Sequence, residues 1–149
     1  MAQIERRAEV TWNGDLASGK GSLAGGSGAF GTLPVTWASR TESADGRTSP
    51  EELIAAAHAS CYAMALSHAL STAGNPPERL EVSAVCGLDP KSSGGFEITS
   101  SNLTVRGVVP GLEQSGFDEM ARQGEQGCPV SNALRNNVSI GLKATLENA

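Results

Sequence analysis

No block of Lys or Arg occurs anywhere in the 149-residue chain, whose 11 basic residues stand against 16 acidic ones for a net charge of -5. Phosphate backbones and anionic membrane surfaces are read by clustered cations, so neither nucleic acid nor a membrane is an expected partner. No stretch approaches the ~20 apolar residues that a spanning helix requires. The start, Met1-Ala2-Gln3-Ile4-Glu5-Arg6-Arg7, carries no apolar signal region. The expectation is a cytoplasmic protein. Cysteine is scarce as well, with three residues at 61, 86 and 128 and no C-x-x-C pair, which excludes a dense secreted framework. Neither an internal repeat nor an interdomain linker is evident, so one domain over 1–149 is expected. A folded chain of this size buries roughly 68–70% of the surface its unfolded form exposes and needs no metal or disulfide staple.

What is present reads as α+β. Ile4 to Trp12 partly alternates, Asn13-Gly14-Asp15 supplies a turn, and a second short strand follows from about Gly19 to Ala24. Gly25 to Gly31 is a glycine-rich loop, and Leu33-Pro34-Val35-Thr36-Trp37-Ala38 reads as another strand or edge segment. Gly19-Lys20-Gly21-Ser22-Leu23-Ala24 matches a dinucleotide fingerprint, but no buried parallel strand precedes it and no helix follows to hold phosphates, so the match is rejected.

After a polar stretch from Thr41 to Thr48 comes Ser49-Pro50-Glu51-Glu52. Ser49 can cap, Pro50 suits the first helical position, Glu52 completes a capping box, and both carboxylates favour the positive end of the helix dipole. The helix is predicted to run from Pro50 to about Ala73, stopped by Gly74 and Pro76-Pro77. Its many alanines leave it thin on nearly every side, which predicts a central buried element with strands on both sides. Leu80 to Leu88 alternates as one strand, Phe96 to Val109 forms a longer one bulged at Ser100-Ser101, and a second helix starts at Gly111 or Ser115 and ends near Gly124 to Gly127. Cys128 falls at a helix junction, Pro129 to Leu134 adds a further helical turn or two, and Val138 to Leu146 alternates as the final strand.

Cys61 lies eleven residues after Pro50, about three turns from the positive helix end and beyond the turn where the dipole acts strongly. As a nucleophile it needs another cation; as a core residue it is a small hydrophobe in a tight helix, and spacing leaves both open. Cys86 points with the apolar set of its strand and is expected to be an inert core thiol. His58-x-x-Cys61 on one helix face could suggest a metal site with Cys128, but a closed zinc site needs four ligands and no other spaced Cys/His pairs exist. His58 and His68 are therefore each expected to be satisfied or exposed, and no metal is expected.

The run Thr48-Ser49-Pro50-Glu51-Glu52-Leu53-Ile54-Ala55-Ala56-Ala57-His58-Ala59-Ser60-Cys61-Tyr62-Ala63-Met64-Ala65-Leu66-Ser67 closely resembles the motif around the peroxidatic cysteine of the OsmC/Ohr family (osmotically inducible protein C, organic hydroperoxide resistance). The Trp12-Asn13-Gly14 to Gly19-Lys20-Gly21 hairpin, the loop carrying Arg40, and Gln126-Gly127-Cys128-Pro129-Val130-Ser131-Asn132-Ala133-Leu134 follow the family's order, so the resemblance spans essentially the whole chain. The hairpin and His58-Ala59-Ser60-Cys61 look more like the OsmC branch. The resemblance implies a long central helix packed against antiparallel strands in an intertwined homodimer, without haem, flavin or metal. It further implies that Cys61 attacks the peroxide, Arg40 steadies the thiolate and the oxyanion, Glu51 holds that arginine, and Cys128 resolves the oxidised sulfur. A dithiol reductant, such as a lipoyl-bearing protein, would reopen the disulfide. Glu51 and Cys61 stand about 15 Å apart along one helix, too far for one arginine to contact both easily, which points to two helices packed antiparallel in the dimer.

The expected activity is thiol-dependent reduction of organic hydroperoxides, with hydrogen peroxide as a second substrate class. The alternatives are a non-enzymatic oxidant sensor or small-ligand binder on the same fold, separated by turnover against a single oxidation, and a purely structural stress protein, for which Cys61→Ser would change nothing.

Overall fold

The computed structural model describes residues 2–148. Two compact units are present, one running to Leu53 and the other beginning at Ile54. In the first, β1 (Ala8–Asn13), β2 (Lys20–Gly25) and β3 (Leu33–Val35) form an antiparallel sheet in the order β1-β2-β3. Gly14 takes φ +96°, and the Asp15 carboxylate accepts from the Ser18 backbone at 2.8 Å and hydroxyl at 2.9 Å, closing the hairpin at the expected turn.

The expected strand through Ala38 stops early. Thr36 Oγ1 accepts from the Ser39 N–H and Ser39 Oγ accepts from the Thr36 N–H, both at 3.0 Å, and this reciprocal cap starts a short helix, α1 (Trp37–Thr41). Arg40 consequently lies in the last turn of α1 rather than in a loop. Ser39 Oγ also donates to the Thr48 carbonyl at 2.9 Å, and the Thr48 N–H donates to the Pro34 carbonyl at 3.0 Å, which ties the polar stretch back to β3.

Helix α2 (Pro50–Thr72) starts where its signals place it. Ser49 Oγ accepts from the Glu52 N–H at 3.2 Å, but the Glu52 carboxylate turns to the Thr48 hydroxyl at 2.7 Å instead of closing a box on Ser49. At the other end Gly74 has φ +88° and the Asn75 N–H reaches back to the Leu70 carbonyl at 2.9 Å, a left-handed termination that glycine takes without steric cost. Contrary to the expectation that no stretch approaches membrane-spanning length, α2 is long and apolar enough by length and composition to cross one. One such helix is weak evidence, and Glu51, Glu52, His58 and His68 are costly inside a bilayer.

In the second unit β4 (Arg79–Pro90), β5 (Phe96–Val108) and β6 (Ser139–Leu146) form a sheet in that order. β4 and β5 are antiparallel, while β5 and β6 are parallel, so the strands are not all antiparallel as expected. The reason is the chain between them: α3 (Gln114–Gln126) and α4 (Pro129–Leu134) make a helical crossover, the connection that parallel neighbours require. The pairing shifts register at Gly87/Leu88, opposite Ser100 and Ile98, so the bulge falls on Thr99, one residue before the predicted position.

The core of this unit joins Tyr62, Leu66 and Leu70 of α2 to Leu103 and Val105 of β5, Val109, Phe117 of α3, and Cys128. Full burial of a large apolar side chain contributes roughly 1.5–3 kcal/mol. Two glycines permit the close approach. A Cβ on Gly107 would stand 2.7 Å from the Phe117 ring, and one on Gly124 would stand 3.0 Å from Leu66 Cα. Within the second unit α2 buries only the stripe His58, Tyr62, Leu66 and Leu70, spaced four residues apart; Ala56, Ala57, Ser60 and Met64 are exposed. The expected central buried helix is only partly buried in the single chain.

Candidate active site

In the first unit the short α1 carries Arg40 to the opening turn of α2. Arg40 Nε lies 3.0 and 3.2 Å from the two carboxylate oxygens of Glu51, and Nη2 lies 2.8 Å from Oε1, a two-pronged ion pair. Glu51 is buried and Arg40 is partly exposed. The neighbouring Glu52, which competes with Glu51 in the sequence, is exposed and spent on Thr48. The guanidinium also stands over the Trp37 ring, 6.0 Å from its centroid, so the arginine is held by charge on one side and an aromatic face on the other. Arg40 forms part of the wall of a cavity of about 400 Å³ whose other walls are largely apolar, with Trp12, Leu23, Val35, Trp37 and Leu53 prominent.

In the second unit the two widely spaced thiols meet. Cys61, from the middle of α2, packs against the core cluster that holds Cys128, and the Val130 N–H acts electrostatically on its thiol. Cys128 caps α4, its Sγ accepting from the Ser131 N–H at 3.5 Å, and it is completely buried. Cys61 retains partial exposure. Burial pushes the Cys61 thiol above its ordinary range, with the adjacent Cys128 thiol adding to the effect and the Val130 N–H opposing it. Left to these neighbours Cys61 is protonated at neutral pH, and an additional cation is needed to favour the thiolate.

His58, one helical turn before Cys61, is fully buried. Its Nδ1 lies 2.6 Å from Ser101 Oγ on β5 and its Nε2 lies 2.7 Å from Ser131 Oγ on α4. Desolvation lowers its proton affinity below that of a free imidazole, against a smaller upward pull from the Glu125 charge. The ring is neutral, with one nitrogen donating and the other accepting. No group of His, Cys, Asp and Glu suited to a metal ion occurs among the described residues.

The four predicted residues thus fall into two pairs, Arg40 with Glu51 in the first unit and Cys61 with Cys128 in the second. Cys86, half-buried on β4, lies opposite Ser101 in the strand register and outside the core cluster. Sequence reasoning missed the backbone N–H of Val130 and the Ser101–His58–Ser131 chain. No local signal could have revealed them, since the serines are 43 and 73 residues from His58.

Comparison with known proteins places this geometry in context. The family model described as OsmC-like protein matches residues 43–143. The chain is 39% identical over 137 residues to Peroxiredoxin OsmC of Escherichia coli (strain K12), covering 92% of this chain and 94% of that protein. It is 30% identical over 96 residues to an Organic hydroperoxide resistance protein of Xanthomonas axonopodis pv. citri (strain 306), covering 64% of this chain and 65% of that one. The crystal structure of the Organic Hydroperoxide Resistance Protein OhrB of Bacillus subtilis superposes with a TM-score of 0.74 at 26% identity, covering 93% of this chain and 98% of OhrB.

Proposed function

We propose a peroxidase function for this chain, which belongs to the OsmC-like protein family: Cys61 reduces a hydroperoxide and Cys128 resolves the product. The observation that carries this reading is the unequal exposure of two thiols in contact. A peroxide arriving from solvent can meet Cys61 but not the fully buried Cys128. The Cys61 thiolate attacks one peroxide oxygen, the O–O bond breaks, the other oxygen leaves and takes up a proton as the alcohol, and Cys61 becomes a sulfenic acid. The Cys128 thiolate then attacks that sulfur, hydroxide leaves as water, and the disulfide holds the two electrons' worth of oxidation. A dithiol, of which a lipoyl group is one kind, returns the electrons by thiol exchange.

Because burial disfavours the Cys61 thiolate, the reaction needs a fixed cation. In this reading that cation is Arg40, its planar fork immobilised by Glu51 so that one edge remains available to charge developing on sulfur and oxygen. The apolar cavity that Arg40 borders supports an organic hydroperoxide over hydrogen peroxide as preferred oxidant. The working form is a homodimer, and the exposed Ala56, Ala57, Ser60 and Met64 face of α2 supports this as a surface where a second copy can approach closely.

Dithiol-dependent consumption of cumene hydroperoxide and hydrogen peroxide, measured for wild type and the three Cys→Ser variants, tests the reading. Cys61→Ser is expected to abolish turnover, Cys128→Ser to stop after one oxidation, and Cys86→Ser to remain near wild type. A wild-type protein that is oxidised once and does not turn over would replace the peroxidase with an oxidant sensor.

A further inference from the structure

We propose that His58 is a positioning residue for the resolving cysteine: through Ser131 it holds the first turn of α4 so that Cys128 stays within reach of Cys61 after Cys61 has been oxidised. The inference rests on the reading of Cys61 and Cys128 as a reacting pair, and it assigns the buried imidazole to the second chemical step rather than to the first.

The argument begins with α4 itself. At six residues it is far below the ~12–15 at which an isolated helix becomes even marginally stable, so its place is set by what it is bonded to. Two of its tethers run to the end of α3: the Asn132 amide donates to the Gln126 carbonyl at 3.1 Å, and just past the helix Arg135 pairs with Glu125 at 2.7 Å. Two other interactions reach α2, the element that carries the peroxidatic sulfur: the Val130 N–H, whose polarity acts on the Cys61 thiol, and Ser131 Oγ, 2.7 Å from His58 Nε2. The first of these ends on the reacting sulfur, whose size, charge and hydrogen-bonding capacity all change when it gains an oxygen. Among the described residues, the His58–Ser131 bond is the hydrogen-bonded tether between α2 and α4 that involves neither reacting thiol. Of the links from α4 to α2, it is the one that the first step leaves chemically untouched.

The remaining contacts make that tether stiff. His58 and Ser131 are both completely buried, and the other ring nitrogen is held by Ser101 in the middle of β5, opposite Ile140 in the parallel pairing. A neutral imidazole between two hydroxyls has no spare orientation, since rotating the ring breaks both bonds in a site where water does not replace them. Ser131 couples this anchor to the thiol in the same residue, its N–H capping Cys128 Sγ while its hydroxyl meets His58. An apolar residue at position 58 would fill the same core without fixing the rotation of α4 about the thiol.

The test uses the full-length protein in a Cys86→Ser background, so that only the two thiols react. With the aromatic disulfide dithiobis(nitrobenzoate), the Cys61 thiolate attacks one sulfur and releases one thionitrobenzoate. The Cys128 thiolate then attacks the Cys61 sulfur of the mixed disulfide, releasing the second and leaving the Cys61–Cys128 disulfide. The two releases are coloured and separable in time, and their ratio of rate constants reads the placement of Cys128 without requiring any peroxide. Parallel stopped-flow oxidation by cumene hydroperoxide gives the same ratio for sulfenic acid condensation, with overoxidised Cys61 scored by intact mass.

Ser131→Ala and His58→Gln are each expected to lower the ratio of closure to attack about tenfold, the consequence of losing one buried hydrogen bond, and to increase overoxidised Cys61 per turnover. Ser131→Thr, which keeps the hydroxyl, is expected to restore the ratio. Equal slowing of both steps would mean that the network is general scaffold, and an unchanged ratio in both variants would mean that Cys128 is placed without it; either result overturns the proposal. If wild type ignores peroxide while the aromatic-disulfide ratio still falls in the variants, the peroxidase reading fails and the positioning role stands.

Discussion

Replacing Glu51 by Gln removes one charge at the start of α2 while keeping nearly the same side-chain volume. In the native protein the carboxylate, 9% exposed, accepts three contacts of 2.8–3.2 Å from an arginine whose side chain is 31% exposed. Exposed ion pairs contribute about 0.2–1 kcal/mol, whereas breaking a fully buried one costs about 3–5 kcal/mol. With one partner buried and the other partly wet, the Arg40–Glu51 coupling should fall between these limits, at about 2 kcal/mol. A double-mutant cycle of Glu51→Gln and Arg40→Ala isolates that coupling from the packing lost with each side chain. Urea denaturation of the four proteins gives it for stability, and kcat/KM for cumene hydroperoxide gives it for the reaction, where about 2 kcal/mol corresponds to roughly a 30-fold loss. A coupling below about 0.5 kcal/mol in stability, accompanied by a Glu51→Gln rate within about twofold of wild type, would show that the pair neither fixes the guanidinium nor serves the chemistry.

Three further outcomes follow from the second unit. The folded-state proton affinity of His58 is lowered by burial, so as pH falls through about 6.5 the unfolded chain takes up the proton first; stability is full above that value, is lost as pH drops toward the lowered folded one, and the slope should flatten in His58→Gln when melting is followed from pH 8 to 5. Gly124→Ala sets about 1 kcal/mol of gained helix propensity against a Cβ standing 3.0 Å from the Leu66 backbone, and overpacking of about 1–3 kcal/mol should win, lowering the urea midpoint and slowing disulfide closure because α3 leads directly to Cys128. Tyr62→Phe removes a buried 3.0 Å bond to the Ala121 carbonyl and should cost about 1 kcal/mol in urea denaturation while leaving Cys61 reactivity near wild type.

How far the sequence reveals this molecule depends on how local each signal is. Helix α2 is bounded by Ser49-Pro50-Glu51-Glu52 at one end and Gly74 with Pro76-Pro77 at the other, and those residues act on their own backbone neighbours, so its extent is legible to within a residue. The alternation along β4 and β6 is equally local. Helix α1 was invisible because Leu33-Pro34-Val35-Thr36-Trp37 has strand-like composition and its cap is a Thr36–Ser39 exchange, without the Glu or Gln that marks the usual box. The parallel pairing of β5 with β6 is legible in the order of elements, since a strand, two helices and a strand form a crossover that parallel neighbours require.

The site divides along the same line, and the division says something about how it works. Motif resemblance singles out Cys61, Cys128, Arg40 and Glu51, side chains of nucleophilic or charged type. The groups that aim them are silent in the sequence because they are ordinary: a backbone N–H at Val130, hydroxyls at Ser101 and Ser131, and an imidazole that reads as a merely satisfied core histidine. Each becomes meaningful only when β5, α2 and α4 converge, and none has charge or nucleophilicity of its own to advertise. A buried, doubly bonded neutral histidine is indeed satisfied, as the sequence suggests, but satisfaction is what makes it rigid. With α4 too short to hold itself, the proposed positioning role passes that rigidity through one serine to the cap residue, Cys128, whose distance from Cys61 would, in the proposed mechanism, decide whether a sulfenic acid closes to a disulfide or is oxidised further.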